Sequence, residues 1–389
     1  MRHIVEIFLN EIRLVSSQRS LFLTLLVAPI LYAFLYGSIY INKDQPPVKI
    51  AVVDEDHTNI SRQFVNEVHS STKVESHIYP TVAVAREAMY RGDVQGYIEI
   101  APGMEENLLS QRQANVSMYI NTSQFLPTGA LMTSLNEIAM TVGGGVRKVY
   151  FEKQGEGSEA AMQLTNPIKF DYRPLYNTDR NYGSFIIPGL LAIILQQTLL
   201  IAVCAAMSFE KQSGSLAAML RKYSFSDILT GKSIFYLISS SVLAFFIVAV
   251  NFTILDASFR GSYRDGYIIT LLFLCSVITL GMLLGTFFPN PLMTYQVMGF
   301  SSYPIFLISG YSLPLQALPQ GIQDLAACLP TTPFLKAYGS IVQTGARLSD
   351  HTEQVVHILI LWVFYAFLLQ LRFIYLRRRD LKAKTNMRS

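Results

Sequence analysis

Six long apolar runs constrain this chain more than any other feature of its sequence. A helix needs about 20 mostly apolar residues to cross a bilayer, and six runs reach that length: 21–41, 185–208, 233–255, 267–288, 292–312 and 355–375. None of them contains Asp, Glu or Lys, and Arg372 lies at the end of the last one. The first run is about twice as long as the apolar region of a signal peptide, which predicts an uncleaved anchor. The sequence therefore predicts six transmembrane helices, one before and five after a polar segment.

Charge separates that polar segment from the rest of the chain. Only 15% of the 389 residues are charged, against about 25% in an ordinary soluble domain. Segment 43–182 has thirteen basic and seventeen acidic residues, a net charge of −4, whereas the remainder has eighteen basic and ten acidic residues, a net charge of +8. The low overall charge thus belongs to a membrane bundle, and segment 43–182 is predicted to be a separate polar domain.

The positions of Lys and Arg predict the orientation of the bundle. Thirteen of them lie in segment 1–20, loop 209–232 and tail 376–389, whereas the opposite side has four outside the large polar segment. Because basic residues concentrate in cytoplasmic loops, both termini are predicted to be cytoplasmic and segments 43–182 and 313–352 to be external. Apolar residues recur at helical spacing in 1–20, which predicts an amphipathic helix on the cytoplasmic membrane surface.

The external segment alternates β-rich and helical patterns. Strands are predicted at 48–54, 74–79, 94–100 and 116–120, and helices at 61–71, 81–92 and 104–113. This alternation is typical of a small α/β domain around one sheet. A long helix is predicted from Pro127 towards Lys153, interrupted near Gly143, Gly144 and Gly145, and a further strand is predicted at 168–172. The three cysteines lie outside the domain, which therefore has no disulfide.

The motifs that could carry chemistry are weak. GKS at 231–233 resembles the end of a phosphate-binding loop, but it lacks the first glycine and a preceding strand, so Lys232 is interpreted as a cytoplasmic anchor of the third span. GEG at 155–157 follows a helix and is interpreted as a linker. His351 and His357 have no carboxylate or cysteine at ligand spacing and are interpreted as interfacial polar residues. The sequence predicts no catalytic residue, metal site or cofactor in this chain.

The predicted spans contain neutral polar residues only, namely Gln196, Gln197, Thr198, Asn251, Tyr295 and Gln296. Ion-coupled carriers usually keep charged side chains inside the bundle. If the chain transports a substrate, its energy is therefore expected to come from another subunit.

The loop after the second span indicates where that subunit could bind. Residues 209–223 read FEKQSGSLAAMLRKY, with Gly214 followed by Leu216, Met219 and Leu220 on one helical face. The segment is either a solvated amphipathic loop or a docking helix for a cytoplasmic partner.

With this loop, the layout resembles the permease subunits of ABC-2 type exporters (type V exporter-like), in particular bacterial efflux permeases with a large external domain between the first two spans. In that family the loop has two acidic residues around a basic one and then Gly-Thr-Leu-Glu-x-Leu-Leu. The residues that match this pattern are Glu210, Lys211, Gly214, Leu216, Met219 and Leu220. Gln212 and Ser215 replace the second acid and the threonine, which alters the charge offered to an ATPase.

Further residues match the family in order along the chain. Tyr176-Asn177 lies before the second span, and the IPG at 187–189 lies inside it. Gly231-Lys232 lies before the third span. The residues that match the external gate and re-entrant segment are Ser309, Gly310, Pro314, Pro319 and Pro330.

The resemblance implies a half-transporter in a bacterial inner membrane. Such a permease pairs with a second permease, as a homodimer or a paralogous heterodimer, and each binds a separate cytoplasmic ATPase that holds the ATP and Mg. No nucleic acid is expected as a partner. A periplasmic adaptor and an outer-membrane channel are further partners if the cell has two membranes. Alternating access would be driven through the helix around Glu210.

We expect the substrate path to lie between the second and fifth spans. Pro304 should kink the fifth span, and the residues predicted to line the path are Gln196, Gln197, Gln296, Phe300 and Tyr303. Neutral and partly aromatic side chains favour a hydrophobic or amphipathic substrate, drug-like or lipid-like. The alternative is a membrane-anchored receptor or scaffold with no transport activity.

Two small-residue motifs permit close helix packing. Gly281-x-x-x-Gly285 lies in the fourth span and Ala202-x-x-x-Ala206 in the second. Such motifs are frequent in apolar spans, and packing within the chain is the preferred interpretation for both.

Overall fold

The computed structural model describes residues 1–39, 46–122, 125–166, 173, 175–178, 182–254 and 259–386. The chain forms two units, one made of 1–43 with 174–389 and the other of 44–173. The strand predicted at 168–172 lies outside the described residues.

The first unit begins with two helices, α1 (Arg2–Ser17) and α2 (Arg19–Ile39), separated by the extended residue Gln18. A π-helical turn at Leu23–Val27 ends two residues before Pro29. Proline has no N–H to donate and disturbs the α-helical ladder in the turn before it. The helix α1 occupies the segment for which an amphipathic helix was predicted.

The second unit is an α/β domain, as the alternating pattern predicted. Its elements follow one another as β1 (Val48–Asp54), α3 (Asn59–Ser70), β2 (Val74–Ile78), α4 (Val82–Arg91), β3 (Gly96–Ile100), α5 (Met104–Leu109), β4 (Val116–Ile120), α6 (Phe125–Lys153) and α7 (Ser158–Thr165). The sheet has the order β2-β1-β3-β4, with β1 parallel to both β2 and β3 and β4 antiparallel to β3.

The central strand β1 is apolar on both faces because helices cover both sides of the sheet. Ile50 and Val52 belong to one core, which also contains Phe64 of α3 and Leu131 of α6. The alternate residues of β1 belong to a second core under α4. Each face therefore has its own apolar layer.

Two carboxylates cap helices in this domain reciprocally. The Asp56 carboxylate accepts from the N–H groups of Gly103, Met104 and Glu105 at 2.6, 3.1 and 3.2 Å, at the start of α5. The Glu105 carboxylate accepts from the Asn59 N–H at 3.0 Å, at the start of α3. Burial by itself raises the pKa of Asp56, but the hydrogen bonds from Thr58 and these amides outweigh it and lower the pKa below its usual value.

The predicted interruption of the long helix at Gly143, Gly144 and Gly145 is wrong. The helix α6 continues through all three residues to Lys153. Glycine costs about 1 kcal/mol in a helix interior. That cost is offset because Leu131, Leu135 and Val142 of α6 are buried in the domain core.

The first unit resumes after this domain. Its remaining helices are α8 (Tyr182–Ser213), α9 (Ser215–Lys222), α10 (Phe225–Val248), α11 (Tyr263–Gly285), α12 (Pro291–Phe300), α13 (Ser302–Ile308), α14 (Gln320–Ala327), α15 (Thr331–Thr344) and α16 (Thr352–Asn386). Among the described residues, five helical segments are long and apolar enough to cross a membrane: Arg19–Ile39, Tyr182–Ser213, Phe225–Val248, Tyr263–Gly285 and Leu348–Leu381.

The run 292–312 forms two shorter helices, α12 and α13, which meet at Ser301. Ser301 keeps right-handed helical dihedrals, with φ of −70° and ψ of −14°, and its N–H donates to the Val297 carbonyl at 3.1 Å. Pro304 has no N–H to bond to the carbonyl of Phe300, four residues earlier, so one backbone hydrogen bond is missing at this point. The prediction of one spanning helix over 292–312 is not confirmed, since no single helix of spanning length covers this run.

The second apolar helix, α8, is the centre of the first unit and is buried along most of its length. A Cβ at Gly285 would lie 2.6 Å from the carbonyl oxygen of Cys204, and one at Gly281 would lie 3.0 Å from Val203. The two glycines therefore let α11 pack closely against α8. This confirms that the Gly281-x-x-x-Gly285 motif packs within the chain.

Candidate functional site

The candidate site is a charged cluster where α8 ends, together with the short helix α9 that follows. Gly214, with φ of +78°, lies between α8 and α9 and has the left-handed conformation that favours glycine. The hydroxyls of Ser213 and Ser215 both donate to the carbonyl of Glu210, at 3.2 and 3.3 Å. A tight turn thus fixes α9 to the last turn of α8.

Lys232 is the centre of the cluster. It lies in α10 and is fully buried, with 0% of its surface exposed. Its Nζ donates to Glu210 Oε1 at 2.8 Å and also to Glu11 Oε1 of α1. The Tyr236 hydroxyl donates to the other oxygen of Glu11 at 2.9 Å. These contacts join α1, α8 and α10.

The interpretation of Lys232 as a cytoplasmic anchor of the third span did not include these contacts, in which the side chain is enclosed by the bundle and paired with two carboxylates. The expectation of neutral polar residues concerned the predicted spans. Glu11, Glu210 and Lys232 lie outside those spans, in 1–20 and 209–232, and all three are buried. A buried charge is retained where partners compensate it, and removing one partner leaves the others uncompensated.

Close approach of α1 and α10 makes the cluster possible. A Cβ at Gly231 would lie 2.9 Å from the Ile7 side chain and 3.0 Å from the carbonyl oxygen of Ile4. Gly231 therefore lets the backbones approach so that Lys232 reaches Glu11. Gly231 and Lys232 belong to the GKS at 231–233. This motif lies inside α10 and not in the strand–turn–helix setting of a phosphate-binding loop.

Lys211 connects α8 to the end of α11. Its Nζ donates to the carbonyls of Thr286 and Phe288 at 2.7 and 3.0 Å. Arg372 of α16 also donates to the Thr286 carbonyl, at 3.3 Å. Basic side chains commonly satisfy the free carbonyls at helix C-termini in this way. The charges of Glu210 and Lys211 are thus directed into their own bundle.

The helix α9 rests on the bundle by its apolar face. Leu216 and Leu220 are buried, and Met219 is half-buried against the same core. The opposite face of α9 and of the preceding turn is exposed and consists of Gln212, Ser213, Gly214, Ser215, Ala218, Arg221 and Lys222.

Two ion pairs hold α9 at its end. Lys222 Nζ lies 2.6 Å from Glu6 Oε1 of α1, and Arg221 Nη1 lies 3.0 Å from Asp380 Oδ2 of α16. The hydrogen bond to Lys222 lowers the pKa of Glu6, and the same bond raises the pKa of Lys222. Both pairs are partly exposed, so each contributes little to stability, but together they connect α9 to the first and last helices of the chain.

The residues predicted to line a substrate path lie in two different environments. Gln196 and Gln197 are buried within α8, and Gln196 Oε1 accepts from Thr331 Oγ1 of α15 at 2.7 Å. Gln197 Nε2 has no hydrogen-bond partner among the described residues. Phe300 and Tyr303 are 84% and 68% exposed, and Gln296 is also exposed. The two glutamines are thus enclosed in the bundle, whereas the other three side chains lie on its surface.

Tyr311 holds the segment after α13 against α8. Its hydroxyl donates to the Phe185 carbonyl at 2.6 Å, and its ring stacks on Phe185. Gly189 faces this ring, and a Cβ there would lie 2.2 Å from it. Gly189 is the glycine of the IPG at 187–189, so its role here is to make room for Tyr311.

The residues predicted for the external gate shape the turns that follow α13. Ser309 Oγ donates to the Phe306 carbonyl at 2.6 Å, and Gly310 has φ of +82°. The three prolines lie directly before helical segments: Pro314 before Leu315–Ala317, Pro319 before α14 and Pro330 before α15. These turns connect α13 to the two helices after it.

Sequence reasoning missed Glu11, Lys232 and Tyr236 as members of one site. The available signal was a charged residue at an apolar position of each helix: Glu11 shares the buried face of α1 with Ile7 and Val15, and Lys232 follows the buried Ile228 by one turn. In the described part of the chain, no group of three or more His, Cys, Asp or Glu side chains could hold a metal ion.

The helices and the inserted domain define a polytopic membrane protein with an α/β domain between its first two apolar helices. Residues 19–372 match the family described as ABC-2 family transporter protein. The chain therefore belongs to that family, as a membrane-integral permease.

Relatives of similar length bear transporter names. The chain is 23% identical over 347 residues to the probable multidrug ABC transporter permease YbhS of Escherichia coli, a match that covers 88% of this chain and 89% of the relative. It is 22% identical over 366 residues to the inner membrane transport permease YhhJ of the same species, with 89% and 91% covered. It is 20% identical over 378 residues to the linearmycin resistance permease protein LnrN of Bacillus subtilis, with 90% and 94% covered.

Proposed function

We propose that this chain is the membrane-spanning subunit of an ABC exporter, in which a separate ATPase drives efflux of a hydrophobic or amphipathic molecule. The observation that carries the proposal is the position of α9. Its exposed face is available to a cytoplasmic partner, while its apolar face and its ion pairs attach it to α8, α1 and α16. A movement of α9 would therefore reach the central helix directly.

In this scheme Glu210 and Lys211 are positioning residues. Their side chains bond within the bundle, so the ATPase would meet the exposed residues of the turn and of α9, among them Ser215 and Ala218. Closure of the ATPases on ATP would displace α9, and the Glu210–Lys232–Glu11 cluster would carry that displacement to α10 and α1. Ligand binding at the ATPase then biases a two-state permease.

The test replaces exposed residues of α9 in the complex purified from native membranes. Ala218→Arg and Ser215→Arg should each reduce permease-dependent stimulation of ATP hydrolysis by about tenfold, because a bulky cation at the well-packed centre of an interface prevents the two surfaces from closing. Asn10→Arg is the matched control, since it adds the same charge to an exposed position of α1. Normal stimulation in the α9 variants would refute the docking face. Absence of any ATPase from the purified complex would instead favour a receptor or scaffold.

A second permease would pack against α12 and α13. Their exposed face is mostly apolar and includes Leu292, Val297, Phe300 and Tyr303 beside the polar Gln296. We propose that this face borders the path between two permeases. Phe300→Cys should form a disulfide-linked dimer in membranes treated with oxidant, whereas Val363→Cys, which is also apolar and exposed but lies on α16, should stay monomeric. Equal cross-linking at both positions would contradict the proposal.

The proposed orientation places the inserted domain outside the cytoplasm. In a variant without native cysteines, Ser110→Cys should react with an impermeant thiol reagent in intact spheroplasts, and Ser16→Cys on α1 should react only after lysis. Both positions are exposed, so the comparison isolates the side of the membrane. The reverse pattern would invert the orientation.

The relatives' names guide the choice of substrates. Multidrug and linearmycin-resistance permeases are among them, so a panel of amphipathic drugs and antibiotics is the first to assay for stimulated ATP hydrolysis. In a cell with two membranes, the inserted domain would also offer a docking site for a periplasmic adaptor and an outer-membrane channel.

A further inference from the structure

The inserted domain contains a cleft that neither the family nor the transport scheme explains. Its volume is about 620 Å³, which is within the range of small-molecule pockets, roughly 300–1,000 Å³. The helices α3, α5 and α6 and the segment before β4 enclose it. Phe64, Met104 and Val142 form an apolar floor.

Small residues on α6 keep the cleft open. Ala139 and Gly143 line it, and they share one face of the helix with Arg147, which follows four residues after Gly143 at the edge of the cleft. A Cβ at Gly143 would meet no atom within 4 Å. The empty volume therefore results from the absence of large side chains at positions where larger ones would fit.

The side chains at the edge of the cleft favour an anion. Arg112 and Arg147 both line it, and within the described residues neither guanidinium has a carboxylate partner or a side-chain hydrogen bond. Gln111, Gln113 and Asn115 add amide groups, and none of the described residues that line the cleft is Asp or Glu. Arginine binds carboxylates and phosphates through paired N–H donors.

The backbone places Arg112 firmly. Gln111 has φ of +58°, which turns the chain sharply after α5. The Arg112 N–H donates to the Asn107 carbonyl at 2.7 Å. The start of this side chain is thus fixed beside the apolar floor, where a charged headgroup and an apolar body could be bound at once.

We propose that this cleft binds an anionic amphiphile, that is, a phosphate, sulfonate or carboxylate headgroup on an apolar body of drug-like size. The two arginines bind the headgroup, and the apolar body lies on Phe64, Met104 and Val142. The site is independent of ATP coupling, so it can exist whether or not the bound molecule is also transported. Two sources share this chemistry: a soluble amphiphile and an anionic membrane lipid.

The experiment measures hydrogen exchange of the full chain in phosphatidylcholine nanodiscs. Octyl phosphate should protect the peptides that cover 104–118 and 135–147. Inorganic phosphate, octanol and octylammonium should protect them at least about tenfold less at equal concentration, because each lacks the anionic headgroup or the apolar body. Protection in phosphatidylglycerol nanodiscs without added ligand would identify a lipid as the source, whereas protection by octyl phosphate alone would identify a soluble amphiphile.

Two pairs of variants separate the cleft from general effects. Gly143→Leu should abolish the protection by filling the cleft, while Gly145→Leu, the same change on the same helix but outside the cleft, should not. Arg112→Gln combined with Arg147→Gln should weaken binding about tenfold, while Lys153→Gln should leave it unchanged. Protection that survives Gly143→Leu, or equal protection by octanol and octyl phosphate, would overturn the proposal.

Discussion

Replacement of Lys232 by Met tests whether the buried cluster holds the helices together. The ammonium is fully buried and pairs with both Glu11 and Glu210, which are 1% and 6% exposed. Without it, two carboxylates remain in the bundle with no cation, and breaking a buried pair costs about 3–5 kcal/mol. At about 2 °C per kcal/mol, the midpoint of thermal denaturation in detergent should fall by at least about 6 °C.

The matched control is Lys222→Met. Lys222 also pairs with a glutamate of α1 at 2.6 Å, but its side chain is 57% exposed, so its replacement should leave the midpoint nearly unchanged. A triple variant, Lys232→Met with Glu11→Gln and Glu210→Gln, removes all three charges and should recover most of the loss. The reasoning fails if Lys232→Met and Lys222→Met shift the midpoint equally, or if the triple variant is as unstable as the single one.

Two further changes test other contacts. Asp56→Asn removes a capping charge from the amides of 103–105 and should cost about 1 kcal/mol, seen as faster hydrogen exchange at the start of α5. The pKa of Asp56 is lower in the folded state than in the unfolded state, so its stabilisation is present above the unfolded pKa and is lost as pH falls through the folded pKa. The exchange rates of the variant and the parent should therefore converge in acid. A difference that stays constant with pH would contradict this. Gly189→Ala places a methyl group against the Tyr311 ring. The overpacking should cost about 1–3 kcal/mol of folding free energy, which is measured as a lower denaturation midpoint. Gly299→Ala has open space at its Cβ and should be neutral or stabilising; equal losses for both glycines would exclude the steric explanation.

The α/β domain was predictable because its signals are local. Each strand has a short β-rich run, and the helices between them have their own caps, such as Thr58 before α3 and Thr81 before α4. The interruption predicted at the three glycines of α6 was wrong because the sequence shows the cost of glycine in a helix but not the burial of Leu131 and Val142 that offsets this cost.

The cluster could not be predicted because its members are far apart in the chain. Glu11 and Lys232 are separated by 221 positions, and each alone resembles a charge at a membrane boundary. Only the packing of α1 on α10, which depends on Gly231, shows that both are enclosed. The contact between the Glu210 carboxylate and Lys232 was not predictable for the same reason, and the resemblance to the family indicated only a role for Glu210 in ATPase coupling.

The two ion pairs of α9 bring α1 and α16 to the same place. Glu6 lies in α1 and Asp380 in α16, and each contacts one residue of this eight-residue helix. A fusion partner attached at the outer end of α1 or of α16 would therefore lie close to the surface proposed to receive the ATPase. Affinity tags or fluorescent proteins for work on the intact transporter are better inserted in an exposed turn of the α/β domain, such as the one between α6 and α7.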